Sequence, residues 1–355
     1  MTYGTGAIFA LCLNVAAWHC AGMKNSVLLR ALLALPVWLF LVASARAECV
    51  GSDLFDAMPK AEQAKLEQAA HAAPFAQGLL FAARKDGQEI TLAGTYHLPD
   101  PRHAALAGRV KEALAKASVL LVEAGPNEEA RLQKAMTTDP SLMFSTGKTL
   151  PELLSEKDWD LTKAALAAHG MPAFLAAKMR PAFVAMTLSL PPCAMEEIAK
   201  GGKGLDKLVM ESAQGRGVAI EALEPWDTVF TLFNAISEPE ALEMLRAAVI
   251  GAPLAGDMGV TMGDLYFRGE PRIIWELARQ QAVAGGMDPA EVERQMKLSE
   301  DLMMDARNRN WLPKIEAAAV KGPVVVAVGA LHLSGEQGLL KLLQEDGWTI
   351  TRLDG

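Results

Sequence analysis

Glu89-Ile90-Thr91-Leu92-Ala93-Gly94-Thr95-Tyr96-His97 is the stretch on which the fold reading turns. Glu89 to Gly94 is a short strand-like run ending in glycine, and Thr95 to Pro101 reads as a loop. His103 to Ala117 returns to helical spacing. Ser118 to Val122 is then an apolar strand without alternation, closed by Glu123 and the breakers Gly125 and Pro126. Strand, helix and strand within about thirty-five residues make a βαβ unit, whose two strands are expected to be parallel neighbours.

The C-terminus repeats the theme. Pro323 to Gly329 reads as a buried strand, Ala330 to Gly335 as a loop, Glu336 to Glu345 as a helix and Trp348 to Leu353 as a closing strand. Between the two units the periodicity is mostly helical, over Glu152 to His169, Pro172 to Leu190, Leu205 to Gly215, Glu238 to Val249 and Ala290 to Lys321. Gly217 to Leu223 is one further short strand, and Met58 to Ala70 is a leading helix with Pro59 near its start. Met171 to Leu190 is apolar enough to suggest a membrane span, but Lys178, Arg180 and Pro181 sit in its middle and favour a buried helical hairpin. The expectation is an α/β fold: a mostly parallel central sheet flanked by helices, with a large helical insertion over about 126–320. Ser/Gly-rich linkers and low-complexity segments are absent, so residues 48–355 read as one domain.

Ahead of that domain lies a processing signal. From Met23 the chain runs Lys24, Asn25, an apolar stretch from Val27 to Ala43 broken by Arg30, and then Ser44-Ala45-Arg46-Ala47. A basic start, a short apolar core and an A-x-A ending predict a secretory signal peptide over 1–47, cleaved after Ala47, with Met23 as an alternative start. The domain would then be periplasmic or secreted; retention of the segment would leave it anchored in the inner membrane, facing the periplasm. Glu48 before Cys49 argues against a lipoprotein. Cleavage would leave Cys49 and Cys193, an even pair expected to form one disulfide in an oxidising compartment. The chain carries a formal charge of −8, and residues 1–47 hold Lys24, Arg30 and Arg46 with no acid, so the remainder carries −11. That acidity argues against nucleic acid as a partner and leaves the membrane to the export signal alone.

The candidate chemistry lies in a repeated pattern, an apolar strand followed by Gly-x-x-His: Gly94-Thr95-Tyr96-His97 and Gly329-Ala330-Leu331-His332. The composition gives about half such a match by chance, so the pattern alone is weak and its placement matters more. Both histidines follow the carboxyl end of a strand, the edge at which open parallel sheets bind ligands. Gly94 and Gly329 allow close backbone approach there. Glu123 also closes a strand. Two imidazoles and a carboxylate suit a divalent cation such as Zn²⁺, Mn²⁺ or Co²⁺, which would activate water against a carbonyl. Glu224, or Glu221, near another strand end, could serve as general base. Asp206 reads as a helix cap, and Asp100 and His103 as helix-start residues. Arg307 and Asn308 read as part of a solvated helical face. No Gly-x-Ser-x-Gly elbow and no phosphate-binding loop occurs.

From residue 75 onward the sequence resembles the TraB/GumN family, which is related to the Tiki proteases and the pheromone-shutdown proteins. The resemblance rests on Leu92 to His97 with Asp100-Pro101-Arg102, Leu120 to Glu123, Gly204-Leu205-Asp206, Ala222-Leu223-Glu224, Arg307-Asn308 with Trp311, and Val326 to Gly335. It implies an erythromycin-esterase-like, Tiki-like fold and a metal-dependent site. Carried over by motif, His97, Glu123 and His332 would hold the metal, Arg307 would stabilise an oxyanion, and Asn308 would support them. A metal-dependent hydrolase of peptide-peptidase type follows as the leading expectation, acting on a peptide or small-molecule substrate. The alternative is a non-catalytic module that sequesters heme, a peptide or a pheromone-like ligand.

Overall fold

The computed structural model describes residues 51–355. The expected signal peptide and Cys49 lie outside those residues. The sheet has six strands: β1 Leu80–Lys85, β2 Gln88–Thr95, β3 Val119–Val122, β4 Ala219–Ala222, β5 Val324–Gly329 and β6 Thr349–Arg352. Their order is β4-β3-β5-β2-β1-β6. From β4 to β2 every pairing is parallel, whereas β1 is antiparallel to both β2 and β6.

Side-chain alternation explains why the sheet is covered on both faces. Ile90 and Leu92 of β2, Val119 and Leu121 of β3, and Val324, Val326 and Val328 of β5 share one core. It is completed by Trp311, Ile315 and Ala319 of the helix Ala306–Ala319 and by Leu339, Leu340 and Leu343 of the helix Leu339–Glu345. The alternate residues Ala93, Leu120, Val122, Val325 and Ala327 face the other way. There they pack on the helices His103–Leu114 and Leu205–Gln214, through Val110, Leu114, Leu205 and Val209. A parallel strand buried on two faces has no polar face to show, which is why β3 and β5 read as unbroken apolar runs.

One expectation is corrected here. The strands of the first βαβ unit are parallel but not neighbours, because β5 inserts between β2 and β3 and hydrogen-bonds to both. The closing strand, β6, does not join the parallel group; it pairs with β1 at the far edge. β1 itself was not expected from the sequence. Its turn was legible: Asp86 and Gly87 adopt φ of 49° and 77°, the left-handed pair that a two-residue Asp-Gly hairpin requires.

The region between β3 and β5 is helical except for β4. β4 returns to the sheet edge, followed by Leu223, whose N–H donates to the Val122 carbonyl. Met171 to Leu190 is not one helix; it breaks into Ala173–Ala176 and Pro181–Ser189, the second buried against Leu150, Leu166 and Leu245. Among the described residues no helix is long and apolar enough to cross a membrane. The span expected as one helix from Ala290 is continuous but changes pitch: Pro289–Glu300 is α-helical, Asp301–Asp305 is a π-turn, and the α-helix resumes at Ala306.

Leu92 is fully buried on the central strand that leads to His97. Leu92→Ala should therefore cost about 2–5 kcal/mol, read as a lowered urea midpoint with unchanged slope.

Candidate active site at the carboxyl edge of the sheet

Four strand ends meet at one edge. Glu123 follows β3 directly, His97 lies two residues beyond β2, Glu224 two beyond β4, and His332 closes the 3-10 turn Ala330–His332 that follows β5. Because β5 lies between β2 and β3, its terminal Gly329 becomes the meeting point. A Cβ placed on Gly329 would lie 3.4 Å from Glu123 Oε1, 3.6 Å from His97 Nε2 and 3.6 Å from His332 Cδ2. Any larger residue would fill the space that the three side chains share. Gly94 serves the turn differently: a Cβ there would come within 3.0 Å of Ala330 Cα, so β2 and the post-β5 turn could not pack. Its carbonyl accepts from the buried Tyr266 hydroxyl at 2.8 Å.

Arg307 knits the site together. Its Nε and Nη2 donate to the two oxygens of Glu224 at 2.9 and 2.7 Å. Nη2 also donates to Glu123 Oε2 at 2.6 Å. Nη1 donates to the Met303 carbonyl at 3.0 Å and contacts His332 Nε2 at 3.3 Å. All five guanidinium N–H bonds are thus directed at partners. An oxyanion role for Arg307 needs a free donor, and the guanidinium has none here. Its hydrogen bonds run to Glu123, Glu224 and His332 instead. Glu224 is occupied in the same way, since Trp311 Nε1 gives the carboxylate a third hydrogen bond, the second on Oε2, at 3.2 Å. It is placed as a holder of Arg307 rather than as a free base. Glu221 sits exposed within β4.

Asn308 is buried, not part of a solvated face. Its Nδ2 donates to the Gln337 carbonyl at 2.8 Å and the His332 carbonyl at 3.3 Å, which fixes the amide orientation. Its Oδ1 therefore accepts from His332 Nδ1 at 2.7 Å, leaving the Nε2 lone pair to accept from Arg307 Nη1 at 3.3 Å, with Glu123 Oε1 3.9 Å away. Glu123 Oε1 accepts the Gly329 N–H at 2.7 Å. His97 completes the group from the open side. Its Nδ1 lies 3.3 Å from Asp206 Oδ1, and its side chain is 60% exposed where that of His332 is 7% exposed. Asp206 belongs to the site's geometry although its position suggested only a helix cap. Its place in the Gly204-Leu205-Asp206 motif was the available signal.

The electrostatics divide these groups. Burial alone would raise the Glu123 carboxyl, but His332, Arg307 and His97 with the Gly329 N–H bring it down to about 2. Burial lowers His332, and Arg307 and His97 add to it against the opposing charge of Glu123, to about 4. His97 is hemmed in by protein yet open to solvent. Desolvation pulls its pKa down, while the contacts with Asp206 and Glu123 outweigh this and raise it.

These directions fix the sign of an acid dependence. The folded pKa values of Glu123 and His332 are both depressed, so the unfolded chain binds more protons over the intervening range and stability rises with pH there. Stability should fall as pH drops from about 6.5 to about 4 through His332, and from about 4.5 to about 2 through Glu123. The raised His97 acts in the opposite sense, but only above about pH 6.5, so urea midpoints measured from pH 6.5 to pH 3 in the presence of EDTA should decrease; a flat profile would count against these placements.

The donor set for a cation is partly assembled. Glu123 Oε1, His97 Nε2 and the edge of the His332 ring approach Gly329, and His332 Nε2 lies 3.9 Å from Glu123 Oε1. Among the described residues no three His, Cys, Asp or Glu side chains form a ready-made cage. The charge balance of the group is negative: Glu123, Glu224 and Asp206 stand against Arg307, leaving a formal −2 when both imidazoles are neutral. No curated protein and no solved structure matches the chain. A family model does, over residues 79–352, from just ahead of β1 to the last residue of β6. On that match the chain is a member of the TraB/PrgY/gumN family.

Proposed function

We propose that this chain is a metal-dependent hydrolase of the cell envelope, of metallopeptidase type, exported by its N-terminal segment. The observation that carries the reading is the convergence of Glu123 Oε1, His97 Nε2 and the His332 ring on Gly329, with His332 Nε2 3.9 Å from Glu123 Oε1 and with Arg307 and Asn308 fixing the inner half of the group. His97 Nε2, Glu123 Oε1 and, in exchange for its contact with Arg307 Nη1, His332 Nε2 would hold a divalent ion such as Zn²⁺, Mn²⁺ or Co²⁺. When bound, that ion supplies Lewis-acid polarisation of the substrate carbonyl and a more acidic water. The protein's own contribution is preorganisation. Asn308 holds the His332 tautomer, Arg307 and the Gly329 N–H hold the Glu123 carboxylate, and Glu224 with Trp311 holds Arg307. His97, on the exposed side, faces arriving substrate.

The purified chain should bind about one transition-metal ion, and His97→Ala and His332→Ala should each abolish binding together with cleavage of a peptide library in Mn²⁺ or Co²⁺. Full occupancy in either variant would remove that residue from the ligand set. A second reading, stoichiometric capture of a heme, peptide or pheromone-like ligand without turnover, is favoured by one observation. Arg307 has no donor left for a developing oxyanion. Recovery of intact ligand bound one to one, unaffected by EDTA, would select it.

The export reading brings with it the disulfide between Cys49 and Cys193. Denatured protein isolated from the periplasm should take up no alkylating label at either cysteine until it is reduced. Labelling of both without reductant would exclude the bond.

A further inference from the structure

Asp206 Oδ1 is buried and has no in-line hydrogen-bond donor, and His97 Nδ1 approaches it at 3.3 Å. A buried carboxylate oxygen left without a proton donor is costly, so the contact needs a hydrogen on Nδ1. The backbone is built to bring the two together. The Leu205 N–H donates to the Tyr96 carbonyl at 3.0 Å. A Cβ on Gly204 would lie 2.3 Å from the His97 carbonyl oxygen, and one on Gly202 would lie 2.9 Å from the Pro99 ring. The segment from Gly202 to Leu205 thus presses on the Tyr96–Pro99 loop as only glycine allows, and it delivers the first turn of the helix Leu205–Gln214 to the imidazole.

We propose that Asp206 is a positioning residue that holds His97 as the Nδ1–H tautomer, so that the Nε2 lone pair faces Glu123 and Gly329. A free neutral imidazole in water prefers the opposite tautomer, with its proton on Nε2. Asp206 therefore works against that bias, as Asn308 does for His332. A first-turn acid at a helix N-terminus is by itself an ordinary stabilising feature. The orphan oxygen and the loop contact distinguish this one. The inference rests on the reading of His97 as a site group, yet its test does not depend on activity.

The measurement is the ¹⁵N shift pair of the His97 ring in the purified chain. It is taken in EDTA at a pH well above imidazole titration, with the resonance assigned by its loss in His97→Gln. The expected result is a pyrrole-type Nδ1 and a pyridine-type Nε2 in the unaltered protein. In Asp206→Ala this should reverse to a majority of Nε2–H, while His332 keeps Nδ1–H as an internal sign that the fold is intact. Asp206→Glu should restore the original tautomer at least in part. A majority of Nε2–H at His97 in the unaltered protein would overturn the assignment. So would an unchanged Nδ1–H in Asp206→Ala with His332 unperturbed. If Asp206→Ala disturbs His332, the unaltered protein and Asp206→Asn decide it, since an amide that turns its NH₂ toward the ring should favour Nδ1 as acceptor. Because no substrate enters the experiment, absence of hydrolysis would leave the tautomer result standing, and loss of the tautomer would not remove the metal-binding test.

Discussion

A guanidinium withdrawn from water must be neutralised and have its donors met, and the carboxyl edge of this sheet is organised around that requirement. Arg307 is 13% exposed, and the carboxylates it grips, Glu123 and Glu224, are 19% and 13% exposed. Removing one partner from such a group costs more than the pair contributes, because the remaining charge stays behind without compensation. The ends of β3 and β4, the helix carrying Arg307 and the turn after β5 are therefore tied to one another by charge as well as by packing. The Trp311 ring lies 4.8 Å from the guanidinium carbon and 4.5 Å from the His332 ring, so the same helix also walls the group off from below.

That arrangement gives the site an inner and an outer half. Glu123 and His332 each have their partners fixed by the core, one by Gly329 and Arg307, the other by Asn308. His97 hangs from a loop that is held by backbone contacts with Gly204 and Leu205 and is open to solvent. Rigid inner donors set the geometry, while an outer imidazole on a loop can close on whatever occupies the space. This is the division expected where a ligand has to enter and leave.

Much of this was written in the sequence, and the gaps have physical causes. The apolar runs Val119 to Val122 and Val324 to Val328 announce strands buried on two faces, and the glycines and histidines at their ends announce the edge. Strand order was not legible: nothing local in β2 or β3 records that a strand some two hundred residues later in the chain will separate them. β1 was missed although Asp86-Gly87 is a strong hairpin signal, because Leu80 to Arg84 has little alternation. Arg307 and Asn308 look like a solvated face on helical periodicity alone. Only the tertiary placement of Glu224 and His332 makes that face an interior one. Asp206 was hidden for a related reason, since a first-turn aspartate explains itself locally and offers no hint of a distant imidazole.

The π-turn at Asp301–Asp305 gives Arg307 its direction, because it adds a residue to one turn without interrupting the helix. Each residue of an α-helix advances the side-chain azimuth by about 100°. Loss of one residue from this segment could regularise the helix and keep its length nearly unchanged. The guanidinium and the neighbouring amide would then swing away from the sheet edge together. A single-codon deletion here would look harmless in a secondary-structure comparison and would dismantle the ion-pair network, which makes this turn a sensitive place to look when related chains are asked whether they have kept the same chemistry.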